Sequence, residues 1–190
     1  MTFRIRRYRW SDLEAVSALH RIGLAQVGLA PGDGVYYDHD LPRIHEIYLS
    51  DHGEFLVGLI GGRVIAMGGL RRVDDQVAEL CRMRVHPEHQ RRGYGTRILT
   101  RLEERALELG YRRLRCDTTV NQVAAMALYR RYGWVEVGRR EVGGLTVVYF
   151  RKDLHPDPDD QEPETSPGVR LTPAIRGGAP DEEPPGAPPR

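Results

Sequence analysis

Residues 90–95 form the segment whose composition points most directly to chemistry. They read Gln-Arg-Arg-Gly-Tyr-Gly, with Arg91 and Arg92 placed just before Gly93. A strand pattern precedes the segment and an amphipathic helix pattern follows it at once. A turn in this position places backbone N–H groups at the start of a helix, which is the positive end of the helix dipole. Such a helix start favours the binding of a phosphate or pyrophosphate. The segment therefore predicts a binding site for a phosphorylated ligand.

Two other glycine-rich phosphate loops do not fit this segment. A Walker loop requires a lysine directly after its second glycine, and no lysine stands here. A dinucleotide-binding fingerprint requires a third glycine, and Ile98 occupies that position. Nucleoside triphosphates and dinucleotides are therefore not the expected ligands. Taken alone, a Gly-x-Gly pair is also typical of a tight strand-to-helix connection.

The elements around the turn predict an α/β domain with a mixed sheet of about seven strands. Gly61-Gly62 and Gly143-Gly144 are two-residue hairpin signals between neighbouring strands. A strand, helix, strand order over residues 77–118 predicts a right-handed crossover and thus a parallel central pair. Ser11 and Glu14 have the spacing of a capping box that opens the first helix. We expect an antiparallel meander, then the parallel pair, with helices on both faces of the sheet.

The composition of the chain changes at residue 154. Residues 155–190 hold ten of the thirteen prolines, together with eight acidic residues and three arginines. Such a segment buries too little apolar surface to offset the entropy lost on ordering. The sequence therefore predicts one domain over residues 1–154 and a disordered, acidic, Pro-rich tail over residues 155–190. A solvated linker is favoured over an interaction tail.

Composition also limits the partners and the compartment. The net charge of the chain is +1, and the acidic tail leaves the domain mildly basic, which suits an anionic ligand better than nucleic acid. No apolar run approaches the roughly 18–20 residues of a membrane span, and no secretory signal is visible. Cys81 and Cys116 lie in predicted strands and are interpreted as reduced core residues of a cytoplasmic protein. His86 and His89 lack supporting ligands, so no metal is expected.

Two further segments specify the kind of turn. Residues 79–87 read Glu-Leu-Cys-Arg-Met-Arg-Val-His-Pro, and Asn121 is followed by Leu128-Tyr129 and then Gly133-Trp134. Together with the 90–95 turn, these segments resemble the GNAT superfamily of acetyl-coenzyme A-dependent N-acetyltransferases. The resemblance implies the GNAT fold for the domain. It also implies direct transfer of an acetyl group from acetyl-coenzyme A to a primary amine, without a metal.

The resemblance further implies which residues hold acetyl-coenzyme A. Backbone groups of Met83 and Val85 are expected to pair with the pantetheine arm, and N–H groups of the turn with the pyrophosphate. Asn121 is expected to contact the arm or only to cap the following helix. Arginines 91, 92 and 97 either reach the 3′-phosphate or form a solvated basic face. The predicted cofactor-binding residues are Met83, Arg84, Val85, Gln90, Arg91, Arg92, Gly93, Tyr94, Gly95, Thr96 and Asn121.

The resemblance assigns catalytic roles to two residues. Tyr129 stands where many members carry the general acid, because a phenol can reprotonate the coenzyme A sulfur; the alternative is a packing aromatic. Glu79 resembles in position the glutamate that histone-acetylating members use as a base; the alternative is a polar residue at a strand start. Arg82 lies on the same strand. Together, Arg82 and Glu79 would bind the carboxylate and the amine of an amino acid-like substrate.

The acceptor stays open between a small molecule, an amino acid and a protein. Tyr36 and Tyr37 lie where the family carries a variable region, and either line the substrate pocket or pack as loop aromatics. The sequence is compatible with a homodimer through the C-terminal hairpin. The competing class is a non-catalytic acyl-coenzyme A-binding sensor or interaction module. The presence of both Tyr129 and Glu79 favours the enzyme.

Overall fold

The computed structural model describes residues 2–29 and 39–154. Tyr36, Tyr37 and the predicted tail lie outside the described residues. Three α-helices and seven strands occur within the described ranges. The helices are α1 (Leu13–Ala25), α2 (Tyr94–Glu108) and α3 (Val123–Arg131). The strands are β1 (Arg4–Arg7), β2 (Glu54–Ile60), β3 (Arg63–Arg72), β4 (Val77–Val85), β5 (Arg113–Thr119), β6 (Val135–Val142) and β7 (Leu145–Asp153).

The strands form one mixed sheet in the order β1-β2-β3-β4-β5-β7-β6. Only β4 and β5 run parallel, and every other neighbouring pair is antiparallel. The crossover between the parallel strands is α2, as the strand, helix, strand order requires. The predicted fold class, with its antiparallel meander and parallel central pair, is confirmed.

Alternating side chains of the strands build a core on each face of the sheet. On one face Phe55 and Val57 of β2 pack with α1, through Val16 and Leu19. On the other face Leu56 packs into a larger cluster that contains the apolar sides of α2 and α3. The buried residues that α2 contributes are Ile98, Leu99, Leu102 and Ala106. The sheet thus separates an α1 face from an α2/α3 face, and the site described below crosses between them.

The start of the first helix is built differently from the prediction. Ser11 lies inside a short 3-10 turn, Trp10–Asp12, and α1 begins after it. The carboxylate of Asp12 accepts the backbone N–H of Arg9 at 2.8 Å and the guanidinium of Arg6 at 2.6 Å. The predicted capping box at Ser11 is therefore wrong. Asp12, rather than Ser11, accepts the free N–H group at the start of this helical segment. The ionised carboxylate of Asp12 also forms a charge-assisted hydrogen bond with Arg6, which a serine hydroxyl cannot form with the same strength.

Candidate active site

The sheet opens between its two parallel strands. The β4–β5 ladder pairs only residues 77–79 with residues 113–115. Beyond these pairs β4 continues to Val85 and β5 to Thr119 without bonding to each other. The backbone groups that face this gap need other partners, and a ligand that enters the gap supplies them.

A β-bulge in β4 accompanies the opening. Residues 82 and 83 both stand opposite Gly68 of β3. Arg82 adopts a φ of 56°, a left-handed conformation that is uncommon outside glycine. A bulge bends its strand and re-aims the side chains on it. The bulge lies in the part of β4 that no longer pairs with β5.

The predicted phosphate turn forms at the start of α2. Gly93 is the N-cap residue, with a φ of 78°, and Arg91 precedes it with a φ of 58°. The left-handed conformation at Gly93 favours glycine over every residue with a Cβ. The first N–H groups of α2 have no partner within the helix, and successive N–H groups in such a turn form a concave anion site. The turn therefore has the local geometry that a pyrophosphate requires.

A cleft of about 490 Å³, here called the large cleft, connects this turn with the gap between β4 and β5. Ten of the eleven predicted cofactor-binding residues line it, and Arg92 does not. These ten are Met83, Arg84, Val85, Gln90, Arg91, Gly93, Tyr94, Gly95, Thr96 and Asn121. Their contacts with acetyl-coenzyme A stay predictions, but the fold brings all ten to one surface.

Gln26, just beyond α1, also lines the large cleft, although no sequence pattern singled it out. The side-chain amide of Gln90 donates to the side-chain oxygen of Gln26 and to the carbonyl of Val85, each at 3.0 Å. This bridge ties the end of α1 to the phosphate turn and to the end of β4. Nothing local in the sequence marks Gln26, because its partner is 64 residues away.

A second space, here called the inner pocket, lies beside the large cleft and has a volume of about 50 Å³. It is lined by side chains from β3, β4, β5, α3 and residues 40–48. Four residues line both spaces: Met83, Arg84, Gln122 and Tyr129. A ligand in the large cleft and a ligand in the inner pocket would therefore meet at these four residues.

Tyr129 lies on α3 at this junction. Its side chain is buried and its ring packs against Trp134 and Phe150, with centroids 5.4 and 5.6 Å away. The phenol lies close to the thiol of Cys116. Burial, followed by the influence of Cys116, holds the pKa of the Tyr129 phenol well above its usual value. Tyr129 thus keeps its proton at neutral pH and also packs into the core, so the two interpretations of this residue are compatible.

Glu79 lines the inner pocket but is tightly bound by arginines. One carboxylate oxygen accepts the Arg71 guanidinium at 2.8 Å, and the other accepts Arg115 at 2.7 and 2.9 Å. Only 2% of the residue is exposed. A base needs an available lone pair directed at its substrate, and both oxygens of Glu79 are already engaged. The geometry therefore argues against the predicted role of Glu79 as the base.

Arg82 is similarly engaged. Its guanidinium donates to both carboxylate oxygens of Asp40, at 2.9 and 2.7 Å, and the Tyr48 hydroxyl donates to the same carboxylate. Asp40 is 2% exposed. Arg82 therefore joins the bulge of β4 to the segment that follows α1 and helps to build the pocket wall. The prediction that Glu79 and Arg82 together read an amino acid-like substrate gains no support, because each is bound to partners within the protein.

Asp117 is the functional candidate that the sequence analysis missed. It lies on β5, lines the inner pocket, and forms no salt bridge within the described ranges. Burial, followed by the negative charge of Glu79, raises the pKa of Asp117 to about 7. A carboxylate with this pKa beside a cleft is suited to accept a proton near neutral pH. The sequence did contain one sign of this role, because Arg115 and Asp117 place charged residues at alternate positions of a predicted central strand.

Within residues 2–29 and 39–154, no group of three or more His, Cys, Asp or Glu side chains is placed to hold a metal ion. Cys81 and Cys116 are both free thiols. None of the helices in the same ranges has the length and apolarity needed to cross a membrane.

The sequence model of the acetyltransferase (GNAT) family matches residues 21–134, which include β4, the phosphate turn and Tyr129. The chain belongs to the GNAT acetyltransferase family. This match covers more than half of the chain and includes both spaces that meet at the junction. The resemblance noted in the three sequence motifs is therefore confirmed at the level of the family.

Individual proteins are similar to this GNAT chain at lower identity. A Xenopus tropicalis protein named "Probable N-acetyltransferase 14" is 37% identical over 82 residues, which are 43% of this chain and 40% of that protein. A GNAT-family acetyltransferase structure from Staphylococcus aureus has a TM-score of 0.73 at 18% identity, covering 81% of this chain and all of the other. A phosphinothricin acetyltransferase from Sinorhizobium meliloti, solved with acetyl-coenzyme A, has a TM-score of 0.66 at 20% identity and covers 80% and 89%. The two structures establish the shared fold.

Proposed function

We propose that this GNAT protein is an N-acetyltransferase that moves an acetyl group from acetyl-coenzyme A directly to a primary amine. One observation carries the proposal: the large cleft and the inner pocket meet at Tyr129, and Asp117 lies in the inner pocket. The presence of acetyl-coenzyme A in the Sinorhizobium meliloti protein of the same fold is consistent with it.

The large cleft is proposed to hold acetyl-coenzyme A. The N–H groups of the turn around Gly93 and the N-terminus of α2 would bind the pyrophosphate. The gap-facing backbone of Met83 and Val85 would pair with the pantetheine arm, in place of the missing strand partner. When bound, the cosubstrate supplies an acetyl thioester at the junction with the inner pocket. Residues of the protein then have to manage two protons.

Asp117 is proposed to receive the proton that the acceptor nitrogen loses, and Tyr129 to donate its phenolic proton to the coenzyme A sulfur. Asp117 accepts only as the carboxylate, which predominates above a pH of about 7. Tyr129 donates only as the phenol, and its raised pKa preserves that form. The two environments thus separate the base from the acid, as general acid–base catalysis at neutral pH requires.

The volume and charge of the inner pocket also limit which amines can act as the acceptor. A volume of about 50 Å³ corresponds to a few water molecules, which suits the end of a slender amine better than a ring-bound amine. A negative carboxylate at Asp117 would attract the acceptor's ammonium group. The proposed acceptor is therefore a narrow primary amine, carried by a small molecule, an amino acid or a protein. A cytoplasmic location and a homodimer stay predictions from the sequence.

The deciding experiment mixes the purified protein, acetyl-coenzyme A and a panel of primary amines that differ in width. Release of free thiol is followed in real time, and the product mass identifies the acetylated amine. We expect amine-dependent thiol release that is fastest for unbranched amines and that falls as pH drops below about 7. Tight binding of acetyl-coenzyme A without turnover on the whole panel would instead favour the non-catalytic sensor module.

A further inference from the structure

A row of three charged side chains crosses the sheet at the point where it opens. Arg71 of β3 pairs in register with Glu79 of β4, and Glu79 pairs in register with Arg115 of β5. The ion pairs along this row are 2.8 and 2.7 Å long. The Glu79–Arg115 pair is also the last pair of the parallel ladder. Side-chain bonds thus fasten three strands together directly before β4 and β5 separate.

We propose that Glu79 is a positioning residue, which with Arg71 and Arg115 fixes where the two strands separate and balances the charge around Asp117. This inference rests on the proposed function, because it takes Asp117 as the base of that reaction. It also explains why a carboxylate at the position of Glu79 is compatible with catalysis although neither of its oxygens is available to a substrate.

Glu79 can affect Asp117 because of the way in which β5 aligns with β4. Asp117 follows Arg115 by two residues and therefore lies on the same face of β5. The titratable and charged groups that face the pocket around Asp117, or pair with it, come from six parts of the structure. They are Arg71 on β3, Glu79, Cys81, Arg82 and Arg84 on β4, Arg115 on β5, Tyr149 on β7, Tyr129 on α3, and Asp40 and Tyr48 in the segment after α1.

The signs of these charges predict opposite effects for two substitutions. Glu79→Gln removes a negative charge and leaves Arg71 and Arg115 without their shared partner, so positive charge near Asp117 increases. Arg71→Gln removes a positive charge and leaves Glu79 less neutralised. The first change favours the ionised Asp117 and the second disfavours it.

The test measures kcat/KM against pH for both variants with the best amine from the panel. We expect the acid limb of the Glu79→Gln profile to move down by about one pH unit, with activity retained above the limb. The limb of the Arg71→Gln profile is expected to move up. Glu54→Gln is the matched control, because Glu54 is also buried and is held by Arg7 at 2.9 Å and Arg105 at 3.2 Å. This control should destabilise the protein comparably and leave the limb unchanged.

A second readout follows the titration of Asp117 without catalysis. The difference in unfolding free energy between a protein and its Asp117→Asn derivative, measured against pH, reports the titration of Asp117 by linkage. This difference curve should move in the same direction as the kinetic limb in each variant. The inference is overturned by unmoved curves in both variants, or by an activity of Glu79→Gln that is lost at every pH. The proposed function fails separately, if Asp117→Asn alone has no effect on kcat.

Discussion

The large cleft and the inner pocket are built in two different ways. The large cleft takes ten of its nineteen lining residues from one stretch of chain, which runs from the end of β4 through the turn into α2. The charged side chains of the inner pocket come from three strands, β3, β4 and β5, and from Asp40 in the segment after α1. A site built largely from one stretch of chain depends on local conformation, whereas a site built from scattered charges depends on which distant residues the fold brings together. The two spaces should therefore respond differently to substitution.

The largest expected effect is in the inner pocket. Asp117→Asn removes the proposed proton acceptor, and we expect kcat to fall about 10²–10⁴-fold while the Kd of acetyl-coenzyme A stays unchanged. Steady-state kinetics and cofactor titration provide the two numbers. Asp153→Asn, at the end of β7, is the control and should leave kcat unchanged. A weakened cofactor affinity in Asp117→Asn would show that the two spaces are not separable.

Asp117→Asn should also make the protein more stable. Because the folded pKa of Asp117 is raised to about 7, the folded state keeps a proton that the unfolded state has released above about pH 4. Stability contributed by this group is therefore lost as pH rises from about 4 to about 7, and the deficit persists above 7. We expect a gain of about 1–3 kcal/mol for the variant at pH 8 and no gain at pH 4.

Tyr129→Phe examines the junction between the two spaces. The change removes the phenolic proton but keeps the ring that packs against Trp134 and Phe150. We expect kcat to fall about a hundredfold with little change in melting temperature or cofactor affinity. Tyr132→Phe, three residues along the chain, serves as the control. An unchanged kcat in Tyr129→Phe would leave Tyr129 as a packing residue only.

Gly93→Ala addresses the backbone of the large cleft. A Cβ at a φ of 78° costs about 1–2 kcal/mol. If the turn shifts to relieve this strain, the Kd of acetyl-coenzyme A should rise about tenfold while kcat at saturation is retained. Gly110→Ala is the matched control, because Gly110 has a φ of 89° at the other end of α2. It should lower stability similarly and leave the Kd unchanged.

The smallest expected effect concerns exposed charge at the rim of the large cleft. Arg91 lines the cleft and Arg92 does not. An exposed ion pair contributes about 0.2–1 kcal/mol, so Arg91→Ala should weaken acetyl-coenzyme A binding at most about fivefold. Arg92→Ala should change it less, and both effects should shrink at high salt. Equal losses in the two variants would mean that the rim attracts its ligand only by net charge.

The same contrast explains what the sequence could predict. The bounds of β3 and β7, the parallel pair and the phosphate turn follow from hairpin glycines, apolar periodicity and a local motif. These signals act over a few residues, and one sequence contains them in full. The structure then brings ten of the predicted cofactor-binding residues to a single cleft.

The charges of the inner pocket could not be predicted in this way. Glu79 was interpreted as a base because its position matched a family pattern, but Arg115, 36 residues away, occupies one of its oxygens. The sequence shows that Arg115 and Asp117 alternate along a predicted strand, but the raised pKa of Asp117 comes from burial and from Glu79, which only the folded chain brings near. Asp12 displaced Ser11 for a related reason, since Arg6 of the neighbouring strand supplies its counter-charge. For Glu79 and Asp12, an ion pair that the fold supplies decided what a local pattern left open.

The short parallel ladder has a consequence for how the domain unfolds locally. Strands β1–β4 and strands β5–β7 are joined within the sheet by only three residue pairs. Cooperative units in proteins commonly coincide with such supersecondary blocks, and they open with different free energies. The amide hydrogens of β5, β6 and β7 should then exchange with solvent as one group, and those of β2 and β3 as another. A cosubstrate that inserts between β4 and β5 would bridge the two groups and slow the exchange of both.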